Sequence, residues 1–254
     1  MSGEQQLCAI HQPNFLPRTS TLAKILASSC WVVLDDVQFV RDYQNRARIA
    51  PLARAAQQPR PSQWFSLPVH LPRGRASRIQ EATVIDPGLQ QQRLASTLRQ
   101  CYRRGADREG LEHVIDRTVG ALQRTAGLAE VAEASTLALL ELLEWPGTCL
   151  RASTQQVRAG RSERLADLSV LTGARTYLCG PGGARYLDEK PFADLGLTVA
   201  YAPPGPRPDP LHPDLRLSAL HTLMSCGRDQ LSALARTHLT PVPPLPMLDM
   251  RSLA

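Results

Sequence analysis

Three polar groups break an otherwise apolar pattern: His11-Gln12, Asp35-Asp36 and Gly180-Pro181-Gly182-Gly183. Each follows a short strand-like run. In an open parallel sheet, the carboxyl ends of strands are where loops and helix N-termini meet a ligand. An imidazole there is the usual general base near neutral pH. His11 opens the loop HQPNFLP, whose two prolines stiffen its path, and Gln12 and Asn14 add amides for substrate. The alternative is that His11 ties the loop with a hydrogen bond and does no chemistry. Asp35 and Asp36 point to opposite faces of an extended chain, so one of them faces the site. Asp36 is assigned there, to orient the base or balance its charge, and Asp35 to a backbone turn.

Lys24 and Lys190 are the only lysines among 29 basic residues. A lysine kept in so arginine-rich a chain suggests a point charge or a free amine at the site, against the reading of a surface lysine with a solvated head. In Gln44-Asn45-Arg46, with Arg48 just beyond, a guanidinium beside an amide suits a carboxylate, a phosphate or a developing oxyanion. The glycines of Gly180, Gly182 and Gly183 let backbone approach a phosphate or acyl group closely. Cys179 and Cys226 are alternative nucleophiles, weighed against buried structural thiols. The chain has neither GxGxxG nor GxxxxGK[ST] order and no CxxC pair, so no dinucleotide, P-loop nucleotide, metal or other cofactor is expected.

The elements that must position these residues follow from periodicity. Strands are expected at 6–10, 30–34, 64–69, 78–85, 149–153, 176–179 and 197–202, with 41–48 as an arginine-rich loop. A helix capped by Thr19 or Ser20 joins the first two strands, a unit whose normal outcome is a parallel pair. From Pro87 to Glu144 the period becomes helical, with glycines dividing the stretch into three helices, before Trp145-Pro146-Gly147 stops them. Further helices are expected near 162–173, 184–195 and 217–236, a loop at 203–213, and an extended proline-rich arm at 240–254. The fold class is therefore α/β: one mostly parallel, Rossmann-like sheet over residues 1–254, with a helical insertion at about 87–145.

At 254 residues the chain can bury its own core. The six cysteines are scattered, which excludes a disulfide framework. No apolar stretch is long enough to span a membrane, and the N-terminus lacks a signal-peptide pattern, so a cytoplasmic protein with no membrane partner is expected. The net charge of +6 suits anionic ligands in general. Its dispersion, with no recognition motif, argues against a dedicated DNA-binding surface.

The ordered segments HQPNFLP with Lys24, DDVQF, QNRARI, WFSLPV, TYLCGPGGARYLDE and LSALHTLMSCG resemble the WbqC-like protein family over nearly the whole chain. The chain departs from the family pattern at Arg18, Ser20, Thr21 and His221. The resemblance implies a cytosolic tailoring protein of surface-polysaccharide or natural-product biosynthesis. Acyl or aminoacyl transfer from an activated donor to an amine is the activity it implies. The order of strand, histidine loop and helix also looks like nucleotidyltransferase-type proteins, which keeps nucleotidyl transfer as an alternative. A non-catalytic binding protein of a biosynthetic cluster is the third reading.

Overall fold

The computed structural model describes residues 6–52, 61–202 and 216–237. Its central strands are β1 (Leu7–His11) and β2 (Cys30–Val33), parallel neighbours joined by α1 (Thr19–Leu26), as the strand, helix, strand order requires. After β2 the chain leaves the sheet. It forms an antiparallel pair, β3 (Arg46–Ile49) with β4 (Gln63–Ser66), and a shorter one, β5 (Val69–His70) with β6 (Thr83–Val84). Three helices follow: α2 (Pro87–Tyr102), α3 (Arg108–Arg124) and α4 (Leu128–Leu142). The chain returns as β7 (Thr148–Arg151), α5 (Arg161–Leu171), β8 (Thr176–Cys179), α6 (Lys190–Asp194), β9 (Thr198–Tyr201) and α7 (Ala219–Thr237).

The five-stranded sheet is parallel, in the order β7-β2-β1-β8-β9. Counting only these strands along the chain, the order is 3-2-1-4-5, that of Rossmann-like sheets. Both faces are covered, which is why the strands read as continuous apolar runs. Alternate residues divide between two cores: Trp31 and Val33 pack with α1, α2, α3, α4 and α7, and Cys8, Ile10, Cys30 and Val32 pack with α5 and α6. Chain direction across the sheet reverses at β1, since β2 and β7 lie to one side and β8 and β9 to the other. The crevice of such a fold opens at that reversal.

Several local expectations are corrected. Residues 78–85 are not one strand: Ile79–Glu81 form a short 3-10 turn, because the Glu81 carboxylate folds back to accept the Arg78 N–H at 2.7 Å. Only Thr83–Val84 remain extended. Arg46 and Arg48 lie on β3 and not in a loop, their backbone paired to β4. The helix expected from 184 begins only at Lys190, since Pro191 has no N–H to continue a preceding turn. The cap of α1 is Arg18, with Thr19 and Ser20 already helical. Residues 217–236 are helical from Ala219 but broken at Gly227, whose φ of 85° suits glycine alone. Pro68 splits the 64–69 run into β4 and β5. The expected loop at 203–213 and the arm at 240–254 lie outside the described residues.

The HQPNFLP loop is bolted to α4, 120 residues away in sequence. The Leu16 N–H donates to Ser135 Oγ at 2.9 Å, and Thr136 Oγ1 donates to the Asn14 carbonyl at 3.0 Å. The Phe15 N–H donates to the Tyr43 carbonyl at 2.9 Å. Leu16 holds a left-handed φ of 45°, unfavourable for a leucine, while its side chain is buried. The loop keeps this conformation because its neighbours leave no other. Ser135→Ala should therefore orphan the buried Leu16 N–H and lower unfolding free energy by about 1–3 kcal/mol, measured by urea denaturation. A change within 0.5 kcal/mol would mean that the loop relaxes easily and is not held by α4.

Candidate functional site

A cleft of about 1080 Å³ opens at the β1/β8 reversal. His11 and Gln12 line it from the end of β1, Gly180–Gly183 from the end of β8, and Thr19, Ser20, Thr21 and Lys24 from α1. Arg161, Arg164 and Leu165 enter from the start of α5, with Arg18, Tyr177, Tyr186 and Arg216 around them. None of the lining residues is acidic.

Lys24 is buried, and its Nζ donates to the Ile10 carbonyl at 2.9 Å. Removal from water pulls its pKa down to about 8, only partly opposed by the nearby thiols of Cys179 and Cys8. This placement excludes a solvated surface lysine. A methyl group added at Gly180 would sit 3.6 Å from Nζ, so the loop backbone passes directly over the amine. At Gly183 an added Cβ would come within 2.9 Å of Cys179 Sγ, which leaves no room for a side chain.

His11 is half-buried, and its Nδ1 lies 2.8 Å from the Gln12 carbonyl. A carbonyl only accepts, so Nδ1 carries the proton and Nε2 is the free acceptor. Its backbone is fixed too, the His11 carbonyl accepting from Trp31 Nε1 and the Leu34 N–H. Desolvation, and then the charges of Lys24 and Arg18, push the imidazole pKa down to about 4. The result is a neutral imidazole in a cationic cleft.

Asp35 and Asp36 divide as expected in direction but not in role. Asp35 is buried and accepts from the Ser153 N–H at 3.0 Å and Ser153 Oγ at 2.6 Å, tying β2 to the end of β7. Asp36 does not line the cleft. It pairs with Arg164, which does, and holds that guanidinium from behind. Gln12 Oε1 accepts from Gln44 Nε2 at 2.7 Å, which anchors the loop laterally.

Several residues chosen from the motifs lie elsewhere, for reasons of packing. Asn14 is buried with its carbonyl on Thr136. Asn45 is buried, donating to the Leu67 carbonyl at 2.8 Å between β3 and β5. Arg46 stacks over Trp64, its guanidinium carbon 4.2 Å from the ring centroid. The Cys179 and Cys226 thiols are not among the cleft-lining groups, and burial pushes both pKa values up. Thiols so placed stay protonated at neutral pH, which removes the thiolate a nucleophile needs. His221 Nδ1 lies 3.1 Å from the Ala50 carbonyl, away from the cleft. The other departures from the family pattern, Arg18, Ser20 and Thr21, all line it.

Arg161 and Arg164 were not picked out from the sequence, yet a signal was present. Both lie in the first turn of α5, where the helix dipole is positive and a cation is disfavoured. Arginines at a helix start are a local conflict that a ligand anion would resolve. Tyr186 stands 65% exposed at the cleft mouth, with the Arg161 guanidinium carbon 5.4 Å from its ring centroid.

The depressed His11 pKa has a consequence for stability. Between about pH 6.5 and 4 the unfolded chain takes up a proton at this site and the folded chain does not. Stability is thus full above about 6.5 and falls as the solution is acidified through that window, by at most about 3 kcal/mol. Urea denaturation at several pH values should show this slope in the wild type and a flatter one in His11→Gln. Equal slopes would place the imidazole in contact with water.

Residues 12–233 match the WbqC-like protein family, a span that begins just after β1 and includes every cleft-lining residue except Ile10 and His11. The chain is 26% identical over 206 residues, covering 76% of this chain and 80% of its relative, to "Uncharacterized protein Rv1507c" of Mycobacterium tuberculosis (strain ATCC 25618 / H37Rv). No solved structure matches it. None of the described helices is long and apolar enough to cross a membrane. The match over most of its length places the chain in the WbqC-like protein family.

Proposed function

We propose that this protein is a small-molecule tailoring transferase that joins an acyl or aminoacyl group to an amine, forming an amide. The observation that carries this reading is the pairing of a neutral imidazole, whose Nε2 is free to accept a proton, with a cleft lined by a buried lysine and several arginines. An activated donor is an anion in most of its biological forms and is drawn to Lys24, Arg18 and Arg161. An ammonium-bearing acceptor is repelled by the same groups until the donor has neutralised them. Donor therefore binds before acceptor.

Bound negative charge also relieves part of the depression of the His11 pKa, because the repulsion from Lys24 and Arg18 is cancelled while the desolvation remains. The base becomes stronger once the donor is in place. The acceptor, having given its ammonium proton to solvent as it enters, attacks the acyl carbon as the free amine; Nε2 takes the second proton as the N–C bond forms, and the donor's leaving group departs with its electron pair. His11 can return that proton to the leaving group. Lys24 and the N–H groups of Gly180 and Gly182 would stabilise the oxyanion formed in between, the Gly183 N–H being taken by the Gly180 carbonyl.

A second reading, nucleotidyl transfer, is favoured by one feature: the N-terminal turn of α1, with Thr19, Ser20 and Thr21, faces the cleft beside Lys24. The products separate the two. Amide formation without pyrophosphate release supports acyl transfer, and a nucleotidylated product supports the alternative.

The decisive variant is His11→Ala. As the general base, its loss should lower turnover by about 10² to 10⁴ while donor binding and thermal unfolding stay close to wild type. A variant that loses stability but keeps a normal rate would mean that His11 serves only the loop. The assay is mass-spectrometric detection of amides from mixtures of acyl adenylates or acyl thioesters with amines.

A further inference from the structure

We propose that the ligand anchored in this cleft is a nucleotide-bearing anion: a nucleoside diphosphate, or a donor built on one. Its phosphates would lie against Lys24, Arg18 and the first turn of α1, and its base against Tyr186. The inference deepens the transfer reading above and rests on it only for what the nucleotide carries.

Charge favours a polyanion over a single carboxylate. Among the cleft's cations, Arg164 is offset by Asp36. Lys24 has a backbone carbonyl and the more distant face of Tyr177, Arg161 the face of Tyr186, and Arg18 the face of Tyr43 at 4.3 Å. The Arg18 Nε is buried without a hydrogen-bond partner. These three cations have no carboxylate against them among the described residues, and Arg216 adds a further positive charge to the lining. Lys24 is buried and Arg18 half-buried, and charge so placed is costly unless a counter-charge arrives. One carboxylate would leave most of it in place, whereas a diphosphate matches it.

Shape points the same way. A volume of about 1080 Å³ is at the upper end of what small-molecule sites use, more than a simple acyl group fills. The cleft has two zones. Its floor is cationic and hydroxyl-bearing, with Lys24, Arg18, Thr19, Ser20 and Thr21, and the side-chain-free Gly182 and Gly183 alongside. Its mouth carries Tyr186, 65% exposed, and Val40, 56% exposed. No aromatic ring of the described residues stacks on Tyr186, so with Arg161 on one side its ring can serve as a platform for a flat base. The floor lies at the reversal of a 3-2-1-4-5 sheet, where nucleotide phosphates sit in folds of this order. Here the glycine-rich phosphate loop after β1 is replaced by HQPNFLP, and Lys24 supplies the charge.

The test is calorimetric titration of the full-length chain with the four common nucleoside diphosphates, their free nucleosides, pyrophosphate and acetate. At least one diphosphate should bind about tenfold or more tightly than both its nucleoside and pyrophosphate. Lys24→Met should weaken that nucleotide and pyrophosphate by about 10- to 100-fold and leave the nucleoside unchanged. Tyr186→Ala should weaken nucleotide and nucleoside by about tenfold and leave pyrophosphate unchanged. Gly182→Asp serves if Lys24→Met does not fold. A Cβ at Gly182 meets no atom within 4 Å, so the variant adds a carboxylate to the cleft without a clash and should abolish nucleotide binding. Nucleotides that bind no better than acetate, or bind all three variants as they bind wild type, would overturn the proposal. Nucleotide binding with no amide formed from any nucleotide-linked donor would retain it and defeat the transfer reading. Amides formed from phosphate-free donors, at rates unchanged in Tyr186→Ala, would do the reverse.

Discussion

The ammonium of Lys24 is the constraint around which the site is arranged. It is buried at the end of β1 with one backbone carbonyl as its hydrogen-bond acceptor and no acidic residue in the cleft around it. A charge so placed is destabilising, and its pKa of about 8 expresses that cost. Its field reaches His11, where it adds to desolvation and keeps the imidazole neutral. Thus burial and one nearby cation together keep His11 neutral, and the same cation makes the cleft attractive to anions.

The rest of the fold holds this arrangement in place. The sheet reverses direction at β1, so β1 and β8 end side by side with helices on opposite faces, and a crevice is unavoidable there. The loop leaving β1 would be free to collapse into that crevice. Ser135 and Thr136 of α4 hold its backbone instead, and this makes the helices between β2 and β7 part of the site's support. Three local conflicts gather at one place: a leucine at φ 45°, a buried lysine, and arginines at a helix start. Natural chains keep such conflicts mainly where function needs them.

Much of the architecture is legible in the sequence. Continuous apolar runs such as Cys30-Trp31-Val32-Val33 mark strands covered on both faces, and all five parallel strands were found in this way. Local motifs did less well in assigning roles. His11, Gln12, Lys24, Gly180, Gly182 and Gly183 meet in the cleft, because they sit at or beside strand ends whose positions the sheet dictates. Asn14, Asn45 and Arg46 belong to equally polar motifs but serve loop and hairpin packing. Nothing in a single chain's composition separates an amide that binds a ligand from one that binds a carbonyl. Arg161 and Arg164 are brought in by the crossover from β7 to β8, and Tyr186 by the loop after β8, through long-range pairings that periodicity does not reveal.

Burial and the cleft's positive charge together hold His11 neutral, and a bound anion relieves the second of these. Proton NMR of the imidazole resonances against pH, with the His11 signal assigned by its absence in His11→Gln, tests this directly. The free protein should show His11 titrating near 4, with a shift upward by at least one pH unit when pyrophosphate saturates the cleft. An imidazole that titrates near 6.5, with or without the anion, would contradict the account.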